Sequence, residues 1–195
     1  MKDQEKLHAR QLGNKQKIIH ATIQLIKTRG IDSVTVRSVC TEAQISTGTF
    51  YYYFKNKDEL LLSFIMEASF DHFELKTPLS DIAGRVAELY TILLDRYLSF
   101  GRDFMQSFYT PTNTALSSYM CEQDGRFFDG TIMARCEKEL RDAKDAGYLP
   151  TSADPHRLSE DICTIVKGNV FEYCLNTGEF SLQENMERMI RRYLK

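Results

Sequence analysis

The stretch from Val34 to Lys57, VTVRSVCTEAQISTGTFYYYFKNK, constrains the chain more than any other. Val36, Val39, Cys40 and Ala43 recur at i, i+3, i+4 and i+7, the spacing of one face of a short helix. Thr35 stands just before it, where a hydroxyl can cap the helix. Gln44, Ile45 and Ser46 are too few for a loop and suit a tight turn, with Ile45 reaching into the core and Ser46 capping a second helix. In that second helix Phe50 and Phe54 share an inward face. Thr47, Thr49, Tyr52 and Tyr53 are left outside, and Gly48 leaves a patch of bare backbone. Two short helices joined by such a turn form a helix-turn-helix, whose second helix can enter a DNA major groove.

The spaced positions Val39, Cys40, Ala43, Gln44, Ile45, Ser46, Gly48, Thr49, Phe50, Tyr51, Tyr53, Phe54 and Lys57 resemble the signature of the tetracycline-repressor (TetR) family, bacterial one-component transcription regulators. The resemblance covers residues 11–71. Three positions depart from it: Gln44 stands in the turn where glycine is usual, Cys40 where alanine is usual and Phe50 where leucine is usual. A left-handed Gln44 implies strain on the order of 1 kcal/mol.

The resemblance implies a DNA-binding domain over 11–71, with the helix-turn-helix at about 34–53, and a ligand-binding and dimerisation domain over 72–195. By the same resemblance Ser46, Thr47, Gly48, Thr49, Tyr52 and Tyr53 lie in the major groove of double-stranded DNA, and Thr35, Tyr51 and Lys57 meet phosphates. It further implies a pocket for a small-molecule inducer in the body, and a homodimer joined through the last two helices. Aromatic residues in the middle of the chain suggest Tyr90, Tyr97, Phe104, Phe108 and Phe128 for the pocket. Apolar residues of the last two helices suggest Ile162, Val166, Val170, Met186 and Ile190 for the dimer interface.

Charge is distributed in keeping with this. The net charge is only −2, but residues 1–57 carry 10 Lys/Arg against 4 Asp/Glu, and the remainder 15 against 23. A basic head on an acidic body suits a protein whose N-terminal end meets phosphates.

The remaining pattern is helical throughout, with about nine helices and no strand-type alternation. An initial polar stretch, 1–13, is expected to fray. Helices are expected at about 14–29, 57–75, 79–100, 102–109, 115–121, 124–146, 154–175 and 181 to the end, besides the two of the motif. Asn56 and Ser181, each followed three residues on by glutamate, suggest capping boxes. Lys57 is electrostatically misplaced at a helix start, where a nearby phosphate would compensate it.

Catalysis finds little support. The histidines (8, 20, 72 and 156) form no HExxH or i, i+4 His pair, and the five cysteines form no CxxC. No metal, no cofactor and no enzymatic activity are expected. An odd cysteine count suits reduced thiols in a cytoplasm, and no apolar run approaches the ~20 residues of a membrane span. The functional expectation is a repressor that binds a palindromic operator and is released by its inducer. An activator of the same fold is an alternative, and an α-helical enzyme or adaptor with a vestigial DNA-binding motif is another.

Overall fold

The computed structural model describes residues 2–66, 69–110, 112–113, 115–116, 122, 124–176 and 180–195, the side chains of 2–12 and 65–66 excepted. Among the described residues the chain is all-helical and has no strand. Its α-helices are α1 (Lys2–Arg29), α2 (Val36–Ala43), α3 (Thr47–Tyr53), α4 (Lys57–Met66), α5 (Ile82–Ser99), α6 (Arg102–Phe108), α7 (Ile132–Asp145), α8 (Pro155–Leu175) and α9 (Leu182–Tyr193). Two 3-10 turns, Ile31–Ser33 and Phe70–His72, complete the path.

Helices α1, α2 and α3 pack on one another as a head. Ile18, Leu25, Val39, Phe50 and Phe54 fill it, all buried. In the body, α5 lies against α7 and α9, while α8 packs on α6, α7 and α9. The head joins the body through α4 on α5 and through the Ile31–Ser33 turn on α6. Rings mark that junction: Phe64 of α4 stacks on Phe100 at 5.7 Å, Phe100 meets Phe104 at 4.9 Å, and Phe104 stacks on Phe108 at 5.5 Å. Head and body thus share one continuous apolar core.

Several helix ends differ from the sequence expectation. The first helix reaches back to Lys2, although residues 2–13 carry no apolar stripe; Glu, Lys, Gln, Arg, Ala and Leu there are intrinsic helix formers. The helix expected over 57–75 is described as far as Met66, and Phe70–His72 is a 3-10 turn. A tertiary contact draws the chain there out of helical register. The buried Arg135 guanidinium of α7 donates to the carbonyls of Phe70, Asp71 and Phe73 at 2.7, 2.8 and 3.1 Å. The Phe70 N–H donates to the Gly130 carbonyl at 2.9 Å.

The helix expected from 124 begins only at Ile132, because Asp124, Gly125 and Gly130 hold positive φ and Thr131 supplies the cap. Similarly α5 starts at Ile82, where Asp81 accepts from the Gly84 N–H at 3.0 Å. Ser181 precedes α9, but its hydroxyl makes no capping bond. The helix expected over 115–121 lies largely outside the described residues.

Candidate nucleic-acid interface

Local chemistry builds the head's outer face from three helix starts. Thr35 and Ser38 form a reciprocal box at α2. The Thr35 hydroxyl accepts from the Ser38 N–H at 3.1 Å, and the Ser38 hydroxyl accepts from the Thr35 N–H at 2.9 Å. Ser46 accepts from the Thr49 N–H at 3.1 Å and so opens α3. Asn56 accepts from the Glu59 N–H at 2.8 Å and opens α4, while Glu59 reaches back to the Lys55 N–H. Free N–H groups and the positive dipole end make helix starts suited to phosphate.

Between α2 and α3, Gln44 takes a left-handed conformation with φ 54° and ψ 47°. The Ile45 N–H then closes onto the Cys40 carbonyl at 3.0 Å, which reverses the chain within the expected three residues. Glutamine holds here a conformation that side chains other than glycine adopt at a cost of roughly 1 kcal/mol.

All nine residues expected to meet DNA are reachable from solvent on the head. Tyr51 and Tyr52 are 57% and 67% exposed, unusually open for tyrosine. Tyr53 differs from its expected outward position: it is half-buried, packed against the core, with its ring edge-on to Tyr52 at 4.9 Å. Lys57 is half-buried at the first residue of α4. Arg37 of α2 and Lys55, just before α4, are exposed cations in the same segment that the motif reading left out. Their proximity to the motif was the available signal.

The pocket expectation divides. Tyr90, Tyr97, Phe104 and Phe108 are all buried in the body, whereas Phe128 lies before α7 at 42% exposure and lines no interior. The Tyr90 hydroxyl is buried without a hydrogen-bond partner of ordinary geometry, leaning only on the Cys163 thiol. Burial pushes its phenol well above the usual value. A fully unmatched buried hydroxyl costs about 1–3 kcal/mol, and so weak a partner offsets only part of that.

The five residues assigned to a dimer interface are corrected by their burial. Ile162, Val166, Val170, Met186 and Ile190 are 0–3% exposed within a single chain, because their faces turn inward, α8 onto α6, α7 and α9, and α9 onto α5 and α8. The exposed apolar residues of these helices are Phe171, Leu175, Met189 and Tyr193.

This arrangement defines a helix-turn-helix head carried on an all-helical body. The sequence profile of the family described as "Bacterial regulatory proteins, tetR family" matches residues 18–64. That segment is a TetR-family DNA-binding domain, and the whole chain carries the fold of that family's regulators. Relatives agree over the head. The transcriptional repressor KstR of Mycobacterium tuberculosis is 33% identical over 70 residues, 36% of this chain and 31% of KstR. The HTH-type regulator YerO of Bacillus subtilis is 41% identical over 49 residues, 25% of this chain and 17% of YerO. The matches thus span no more than about a third of these relatives' lengths.

Among solved structures, Thermus thermophilus FadR, a TetR-family repressor in complex with lauroyl-CoA, superposes with a TM-score of 0.64 at 17% identity, covering 92% of this chain and 93% of FadR. RolR in complex with resorcinol gives 0.64 at 17% identity, covering 96% and 90%. No described helix is long and apolar enough to cross a membrane.

Proposed function

We propose that this chain is a cytoplasmic, homodimeric transcription regulator that represses from a palindromic DNA operator and is released by a small-molecule inducer, without enzymatic activity. The observation that carries the proposal is the outer face of the head. There α3 presents Tyr51, Tyr52 and the open Gly48 backbone beside the capped starts of α2 and α4. Side chains on α3 read base edges, while Thr35 and Lys57 hold phosphates and set register. Tyr53 contributes less than its neighbour, since half of it belongs to the core.

The release step uses α4. It starts at the DNA face with Lys57 and ends on the body, where Phe64 stacks on Phe100. A ligand seated near Tyr90 and the Phe104–Phe108 rings favours one body packing over another. It therefore shifts the two heads away from the spacing that DNA requires, provided it binds the two states unequally. The dimer forms through the exposed Phe171, Leu175, Met189 and Tyr193. That FadR and RolR were solved with lauroyl-CoA and resorcinol supports a body that receives a small molecule.

Selection of random DNA by the purified full chain, followed by sequencing, tests the reading. An inverted repeat whose half-sites lie about one helical turn apart, or a multiple of it, is expected. Enrichment of no sequence over the input pool refutes the proposal. The genes beside the enriched sites then separate repression from activation by reporter output.

A further inference from the structure

One cluster outside the DNA head carries donor chemistry that the proposed function does not use. His156 lies at the second residue of α8 and Glu160 one turn on, so both project from one helix face. Glu122 reaches them from the segment before α7, its carboxylate 3.2 Å from the His156 Nε2. One donor atom from each of Glu122, His156 and Glu160 lies within 4.8 Å of the others. The opposite ring nitrogen, Nδ1, is 2.9 Å from a carboxylate oxygen of Glu137 on α7, and Phe127 stacks on the ring at 4.5 Å. The imidazole is therefore clamped on one side and presents its other nitrogen to two carboxylates.

We propose that Glu122, His156 and Glu160 bind a divalent transition-metal ion of the zinc class, with Glu137 orienting the histidine. Imidazole with carboxylates is a donor set for such ions, and three protein ligands leave a fourth position open to water. A carboxylate on the far nitrogen of a metal-binding histidine fixes ring and tautomer, which is the part Glu137 plays. The spacing fits after small movements: bonds of about 2.0–2.2 Å bring tetrahedral donors to roughly 3.3–3.6 Å of one another.

The charges around the cluster are mixed: Arg157 stands 4.0 Å from Glu160, and Arg141 is engaged by Glu137. A bound ion ties residue 122 to the start of α8 and α7, across a long interval of sequence. This proposal does not depend on DNA binding.

The test is calorimetric titration of the chelator-stripped full chain with zinc chloride near neutral pH, with circular dichroism of each variant. One saturable zinc per chain is expected. His156→Gln and Glu160→Gln should each abolish saturable binding, and Glu137→Gln should weaken it about 10–100-fold. His20→Gln and Cys174→Ser, which alter potential ligands elsewhere, should leave it unchanged. Glu122→Gln changes an exposed side chain and serves if a helix variant fails to fold; it too should weaken binding at least 10-fold. A wild-type chain that takes up no zinc overturns the proposal, and so does a Glu122→Gln chain that binds as tightly as wild type.

Discussion

Replacing Glu139 by glutamine removes one charge from the polar network that holds the head-to-body connection in place. Glu139 is 2% exposed on α7 and receives Arg85 and Arg135 through their Nε atoms, each at 2.6 Å. The two guanidiniums extend the network to the backbone between α4 and α5. Arg135 holds the carbonyls of Phe70, Asp71 and Phe73, and Arg85 donates to the Thr77 carbonyl at 2.5 Å. Removing one partner of a buried ion pair costs roughly 3–5 kcal/mol, because the other charge is left uncompensated. Here the lower end applies. Both arginines keep carbonyl acceptors, and their side chains retain 10% and 19% exposure, which admits some water.

We therefore expect Glu139→Gln to destabilise the chain by about 3 kcal/mol. With a urea dependence of about 2–3 kcal/mol per molar, the midpoint falls by about 1–1.5 M. The pH dependence has a definite sign. Burial raises the Glu139 carboxyl, but the hydrogen bonds from Arg85 and Arg135 outweigh it, and the folded value lies below the ordinary 4.5. A depressed carboxylate contributes fully above its unfolded value and loses that contribution as pH falls through the folded one. The difference between wild type and variant should thus be largest at neutral pH and shrink in acid. A midpoint shift under about 0.3 M at neutral pH refutes the reasoning and makes the network one of geometry without net energy.

Gln44→Gly should raise stability by about 0.5–1 kcal/mol in thermal or urea melts, since relief of left-handed strain exceeds the added chain entropy; a lower midpoint shows that Gln44 is unstrained. Lys57→Ala should weaken binding to all DNA sequences alike and lower the slope of log affinity against log salt by about 0.9, one phosphate contact. An unchanged slope removes Lys57 from the interface. Phe171→Glu with Leu175→Glu should split the proposed dimer in sedimentation while leaving helix content intact, because both side chains are already exposed at 57% and 61%. Persistence of the dimer places its interface elsewhere.

The head was legible in the sequence because its determinants are local. Thr35, Ser46 and Asn56 cap the helices that follow them, and Val39 with Cys40 or Phe50 with Phe54 specify inward faces within a single turn. Even the left-handed Gln44 follows from a turn of three residues between two capped helices. Elsewhere long-range contacts decided. Arg135 stands 62 to 65 residues from the carbonyls that it draws away from α4, so no local pattern marks the end of that helix.

The apolar surplus of α8 and α9 was visible, but apolar spacing alone does not say which stripe faces its own chain. Packing of α8 onto α6, α7 and α9 claimed Ile162 and Val166, packing of α9 onto α5 and α8 claimed Ile190, and Phe171 and Leu175 were left outside. The histidine cluster escaped for the same reason. Its i, i+4 pair joins a histidine to a glutamate, and Glu122 and Glu137 become its neighbours only when the segment before α7, α7 itself and α8 are folded together. Caps and helical faces depend on bonds a few residues long. Helix ends under tertiary tension, the division of buried from free faces, and clustered donors depend on which distant segments share space, and that was decided by the tertiary structure.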